Sequence, residues 1–189
     1  MREISRPSTA NCTLSMYISY ILSEPKYISC SRLGELMNMS HDSVNRFLNR
    51  ENLTPEDLFL ESSSQLNLKG GVVSVDDTVL DKPYSYHMDL VDYFWSGKQH
   101  RSVKGINLIT LYYTDDKGNS LPVNYRIYDK SEGKTKNDYF QDMLKEVLKC
   151  GLRPSFVTGY SWYSCVSNLK LIRKYKLGFM FAIQPNCFS

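Results

Sequence analysis

Apolar positions change period partway along the chain, and the change marks out the elements. Leu121, Val123, Tyr125 and Ile127 alternate with polar or exposed neighbours, as in a strand with one covered face. Further on, in KNDYFQDMLKEVLKC, the residues Tyr139, Phe140, Met143, Leu144, Val147 and Leu148 recur at helical spacing, and Gly151 supplies a stop. Before them, Val72 to Asp76 is a short β-branched run. The segments 106–113 and 121–128 flank DDKGN as a hairpin would. After the helix, Phe156-Val157-Thr158 predicts a strand, 162–175 a second helix and 178–183 a last strand. The expected order is three strands, helix, strand, helix, strand. A meander followed by crossovers gives a mixed α/β sheet with helices on its faces.

Upstream the pattern is wholly helical. Leu33, Leu36 and Met37 form one apolar stripe, and Val44, Phe47 and Leu48 form another. Asn38-Met39-Ser40 separates them, with Ser40 placed as an N-cap. Two short helices and a tight turn predict a helix-turn-helix. Its second helix would offer His41, Ser43, Asn45, Arg46 and Asn49 to a DNA groove. A small bundle that only packs carries the same pattern. Thr54-Pro55-Glu56-Asp57 starts another short helix, and SSS with Gly70-Gly71 reads as a connection. The expected organisation is a helical region over 1–60, a linker over 61–71 and a sheet domain over 72–189.

Composition narrows the class. The chain has 189 residues, 42% hydrophobic and 23% charged, with a net charge of +3. That suits a globular protein and permits nucleic-acid binding without arguing for it. No apolar run is long enough for a transmembrane span, and the first residues lack the pattern of a signal peptide. Five cysteines without a CxxC spacing argue against a disulfide framework or a zinc site. His41 and His87 likewise lack ligand-spaced partners. The expectation is a cytoplasmic protein with no membrane partner.

The strand order predicted above is that of the ribonuclease-H-like fold. Its chemistry uses carboxylates that hold divalent metal for in-line phosphoryl transfer. The first strand ends in Val75-Asp76-Asp77-Thr78, and neighbouring side chains on a strand point to opposite faces. Asp76 continues the alternation from Ser74 and is favoured for the site over Asp77. Adjacent aspartates at a strand end also serve as plain turn formers.

The runs VSVDDTVLDKPYS, VKGINLITLYY, LPVNYRIYDK, KTKNDYFQDML and GYSWYS followed by KYKLGFMFAIQPN resemble the core of insertion-sequence DDE transposases, from about residue 30 onward. VDDT and the SWYS stretch carry most of the likeness. The resemblance implies binding to terminal inverted repeats, magnesium dependence and DNA strand transfer. It maps the first catalytic, metal-binding Asp onto Asp76 and the second onto Tyr160. The third residue, a Glu, would lie on a helix beyond the last predicted strand. The chain is therefore expected to be a truncated, degenerate copy lacking two of three carboxylates. Tyr160 is a phenol with an ordinary pKa of about 10, and ionising it at neutral pH costs about 4 kcal/mol. It offers magnesium no charge and is too large for an Asp site. A tyrosine nucleophile would need clustered Arg and His, which the neighbouring sequence lacks. The expected activity is DNA binding, with magnesium weakly held or absent. The chain would act as a remnant, as a competitor of intact transposase, or as part of a hetero-oligomer with it.

Remaining features are weaker. In WSGKQHRSVKG, the residues Lys98, His100, Arg101 and Lys104 are candidates for phosphate contacts, with Gly97 and Gly105 freeing the loop; a solvated loop fits as well. Lys130, Lys134 and Lys136 are weighed the same way, with solvation favoured over phosphate contact, and Trp95 and Trp162 are expected to be packing residues rather than base-stacking platforms. Phe179, Phe181 and Ile183 are expected to expose apolar surface and limit solubility.

Overall fold

A computed structural model describes residues 11–24, 28–97 and 99–182. The chain divides into two units between Thr54 and Pro55.

The first unit holds α1 (Leu14–Ser23), α2 (Cys30–Leu36) and α3 (His41–Arg50). Each helix begins at a hydroxyl cap, from Thr13, Ser29 and Ser40, which satisfies backbone N–H groups the first turn leaves unpaired. Cys12, Tyr20, Leu33, Val44 and Phe47 form the core. Tyr20 hydroxyl donates to Ser29 O at 3.2 Å and accepts from Ser29 N at 3.0 Å, tying α1 to the start of α2. Gly34 lets α2 meet the turn before α3, since a Cβ there would lie 2.6 Å from Met39 O. Of the stripe expected in α2, only Leu33 is buried; Leu36 and Met37 face outward.

The second unit starts earlier than expected. α4 (Pro55–Ser63) buries Phe59 and Ser62, and Leu66 joins the same apolar cluster. Ser62 hydroxyl donates to Pro122 O at 2.7 Å, so residues expected to end a helical region and form a linker pack on the sheet instead. The remaining elements are β1 (Val72–Asp81), β2 (Asp92–Ser96), β3 (Arg101–Thr114), β4 (Ser120–Ile127), α5 (Lys136–Lys149), β5 (Phe156–Gly159), α6 (Val166–Lys174) and β6 (Gly178–Phe181). The sheet runs β2-β3-β1-β5-β6, with β4 also on β3. β1 and β3 are antiparallel over ten pairs, Val72↔Thr114 to Asp81↔Gly105. β4 and β2 share the other edge of β3, end to end, because Gly105 pairs with both Asp81 and Asp92. β5 lies parallel to β1, and β6 parallel to β5.

Alternation assigns the faces. Val73, Val75, Ile109, Leu111, Tyr113 and Val157 point into the core with Phe140, Met143, Leu144 and Val147 of α5. The opposite face leaves Leu80, Tyr93, Trp95, Tyr112, Phe156 and Met180 exposed. Phe179 is also exposed, Phe181 packs against the core, and Ile183 lies outside the described residues. Thr135 and Asp138 form a full capping box at α5. Cys12, Cys30, Cys150 and Cys165 are free thiols. Among the described residues no helix is long and apolar enough to cross a membrane.

Candidate functional site

The pairing of β1 with β5 positions the site. Val75 stands opposite Gly159, so the chain continues to Asp76 on one strand and to Tyr160 just past the other. Glycine suits position 159, because a Cβ there would sit 2.5 Å from Val75 Cγ1 and 3.0 Å from Val75 O. Tyr160 is 68% exposed and precedes the 3₁₀ turn Ser161–Tyr163. Asp76, Thr78, Trp95, Lys136, Tyr160 and Trp162 border a cleft of about 700 Å³.

The two aspartates part company as a strand requires. Asp76 shares the face of Ser74 and Thr78 and is exposed; its Oδ1 accepts from Asp77 N at 2.7 Å. Partial burial raises the Asp76 carboxyl above its ordinary pKa, the Asp77 N–H pulls it down, and the Asp77 charge adds to the rise. Asp77 turns to the core side. It accepts from Lys136 Nζ at 2.6 Å, Asn107 Nδ2 at 3.1 Å and Tyr163 hydroxyl at 3.1 Å. Tyr163 is fully buried. Its phenol is driven far above its ordinary pKa by burial and then by the Asp77 charge, so it acts as a fixed donor. This network was not anticipated. One signal for it is Asn107, a polar residue in the buried register Val103, Gly105, Ile109, Leu111.

Asp77 is ion-paired with Lys136, whereas Asp76 is an exposed carboxylate on the cleft and Tyr160 a phenol beside it. Among the described residues no group of three or more His, Cys, Asp or Glu side chains is arranged to hold a metal ion.

The described residues expected to contact DNA fall in two places. On α3, His41, Asn45, Arg46 and Asn49 are exposed, with His41 and Asp42 paired at 3.2 Å. Ser43 is not an exposed reader: it is 2% exposed and its hydroxyl accepts from Asn11 N at 2.8 Å. Its place beside Phe47 and Val44 on the inner face explains the burial. His100, Arg101 and Lys104 lie on the β2–β3 hairpin, and Lys98 lies outside the described residues. His100 has a φ of 50° in the turn. Arg101 Nε donates to Gln99 Oε1 at 3.0 Å, and Lys104 Nζ sits 4.8 Å from the Tyr86 ring centroid. Gly105 does not loosen a loop. It is a strand residue whose missing Cβ makes room for Leu80 O.

Two further expectations are corrected. Trp95 and Trp162 are 64% and 59% exposed rather than packed, because both extend from the sheet end toward the cleft. Lys130, Lys134 and Lys136 are paired with Asp92, Asp142 and Asp77, so none is simply solvated.

No protein-family model matches the sequence, and no curated protein matches it either. Solved structures do. The piggyBac transposase in a synaptic complex with hairpin DNA aligns with a TM-score of 0.53 at 15% identity, over 100% of this chain and 46% of that one. The Mos1 strand transfer complex aligns at 0.37 with 12% identity, over 98% and 62% of the two chains. A simian T-cell lymphotropic virus intasome aligns at 0.35 with 10% identity, over 90% and 53%. The chain thus spans less than half the length of the piggyBac transposase chain. What the first alignment establishes is a transposase-like fold built on a mixed α/β sheet.

Proposed function

We propose that this chain is a DNA-binding protein of the DDE transposase lineage, built on a ribonuclease-H-like core, that does not itself catalyse strand transfer. The order β4-β3-β1-β5-β6 is the five-strand order of that core, with β2 as an added strand. The observation that carries the reading is the Val75↔Gly159 register. It sets Asp76 and Tyr160 side by side on one cleft, where the resemblance to insertion-sequence transposases calls for two aspartates. A phenol in place of a carboxylate at the second position leaves magnesium with too few carboxylate ligands. DNA binding is assigned to the first unit, a helix-turn-helix, through the stripe His41, Asn45, Arg46 and Asn49.

The test has two arms. Anisotropy of labelled duplexes selected from a random pool should show affinity that falls steeply with salt. Arg46→Ala should weaken it and lower the salt slope by about one. Supercoiled plasmid incubated with the chain and Mg²⁺ should stay intact. Nicking by the purified chain would overturn the non-catalytic reading; absence of duplex binding would overturn the DNA-binding one. A chain with these properties would compete with intact transposase for element ends.

A further inference from the structure

We infer that the cleft beside Asp76 is a stacking site for the unpaired bases of single-stranded DNA. The inference deepens the DNA-binding reading by naming the strand state that this second unit would take. Trp95, Tyr160 and Trp162 border the cleft and are 64%, 68% and 59% exposed. They come from two separate places in the chain, the β2–β3 hairpin and the turn after β5. Among the described residues the ring–ring and cation–ring contacts involve other aromatics than these three. Leaving large rings in water is unfavourable, and three of them gathered at one concavity mark a recognition surface.

Register extends the surface. Trp95 pairs with Ser102 and Tyr93 with Lys104, and paired residues share a face. That face also carries Asp76, which pairs with Thr110. Tyr93 is 63% exposed, and Lys104 on the same face lies against Tyr86. Rings interleaved with cations are what a single strand requires: bases stack on the rings and phosphates meet the cations. Duplex bases are already stacked on one another, so they cannot use these faces.

The chain's two tryptophans both border this cleft, so fluorescence excited selectively at tryptophan reports on it. The full chain would be titrated with an oligothymidylate of about twelve nucleotides and, separately, with a mixed-sequence duplex. The expected result is tryptophan quenching by the single strand and little by the duplex. Trp95→Ala and Trp162→Ala should each weaken oligothymidylate binding about tenfold, read by anisotropy of a labelled strand. Trp95→Phe, which keeps a stacking face, should stay within about threefold of the parent and guards against a merely unstable alanine variant. The inference is overturned by absence of quenching, by an equal loss in the Phe and Ala variants, or by quenching that follows protein concentration without DNA. Duplex binding without quenching would overturn it and leave the groove-binding assignment of α3 standing. Quenching by the single strand without duplex binding would do the reverse.

Discussion

Tyr160 and Asp77 define the cleft in opposite ways. Replacing Tyr160 with Asp puts a second carboxylate beside Asp76 where the register already holds the backbone. Isothermal calorimetry with Mn²⁺ should show no binding to the parent chain and measurable binding to Tyr160→Asp. Equal heats for both would mean that Tyr160 does not occupy a ligand position. At Asp77 the concern is stability. Lys136 and Asp77 are each about 21% exposed, and Lys136→Met leaves the carboxylate with two neutral donors. The loss should be about 2 kcal/mol by urea melting. Asp115 shows how a turn carboxylate sets acid sensitivity. Burial alone would raise its pKa, but Asn119 Nδ2 and the backbone N–H groups of Asn67, Asn119 and Lys117 outweigh that and hold it at about 2. A carboxyl lowered in the folded state stabilises fully above its unfolded pKa of about 4, and that contribution fades as pH falls toward 2. Melting temperature of the parent should therefore drop across that window more steeply than that of Asp115→Ala. Parallel curves would exclude Asp115 as the cause.

At the scale of elements, legibility followed periodicity. α5 was evident because six apolar residues recur at helical spacing and all six are buried. β4 departs from the expected alternation of Leu121, Val123, Tyr125 and Ile127: a register shift between Leu111 and Tyr112 leaves Tyr125 and Ile127 opposite Thr110 and Leu108, on the outer face, while Asn124 is buried beside Val123. β2 was not legible: its five residues place Tyr93 and Trp95 outward and only Phe94 inward, reversing the expected placement of large rings. α1 was missed for a related reason, since its apolar residues surround the helix and only Tyr20 is buried. Ser43 was misplaced because a small hydroxyl fits either face of an amphipathic helix. The Asp76 side of the cleft followed from period two, whereas the Asp77–Lys136–Tyr163 contacts join three separate elements that no local pattern links. Caps offer a direct check on element strength. Thr135→Ala removes the side-chain half of the capping box, in which Thr135 Oγ1 accepts from Asp138 N, and should cost about 1 kcal/mol, seen as an earlier thermal transition. An unchanged midpoint would show that α5 is held by packing alone.

For the whole molecule, the division at Thr54 has a measurable consequence. Both tryptophans lie in the second unit, whereas helical ellipticity comes from both. Urea unfolding followed by fluorescence and by far-ultraviolet circular dichroism should give non-coincident midpoints. Coincident curves would mean the units unfold as one. The sheet itself is assembled from distant pieces, and synthesis on the ribosome feels this. β1 takes β5 as a parallel neighbour, and the strand that completes it lies about eighty residues downstream. At translation rates of about 5–20 residues per second, that edge waits on the order of ten seconds for its partner. Throughout that interval the nascent chain carries an open, β-branched edge at Val72 to Val75. Its yield in cells should depend on how well that edge is shielded until Phe156 emerges.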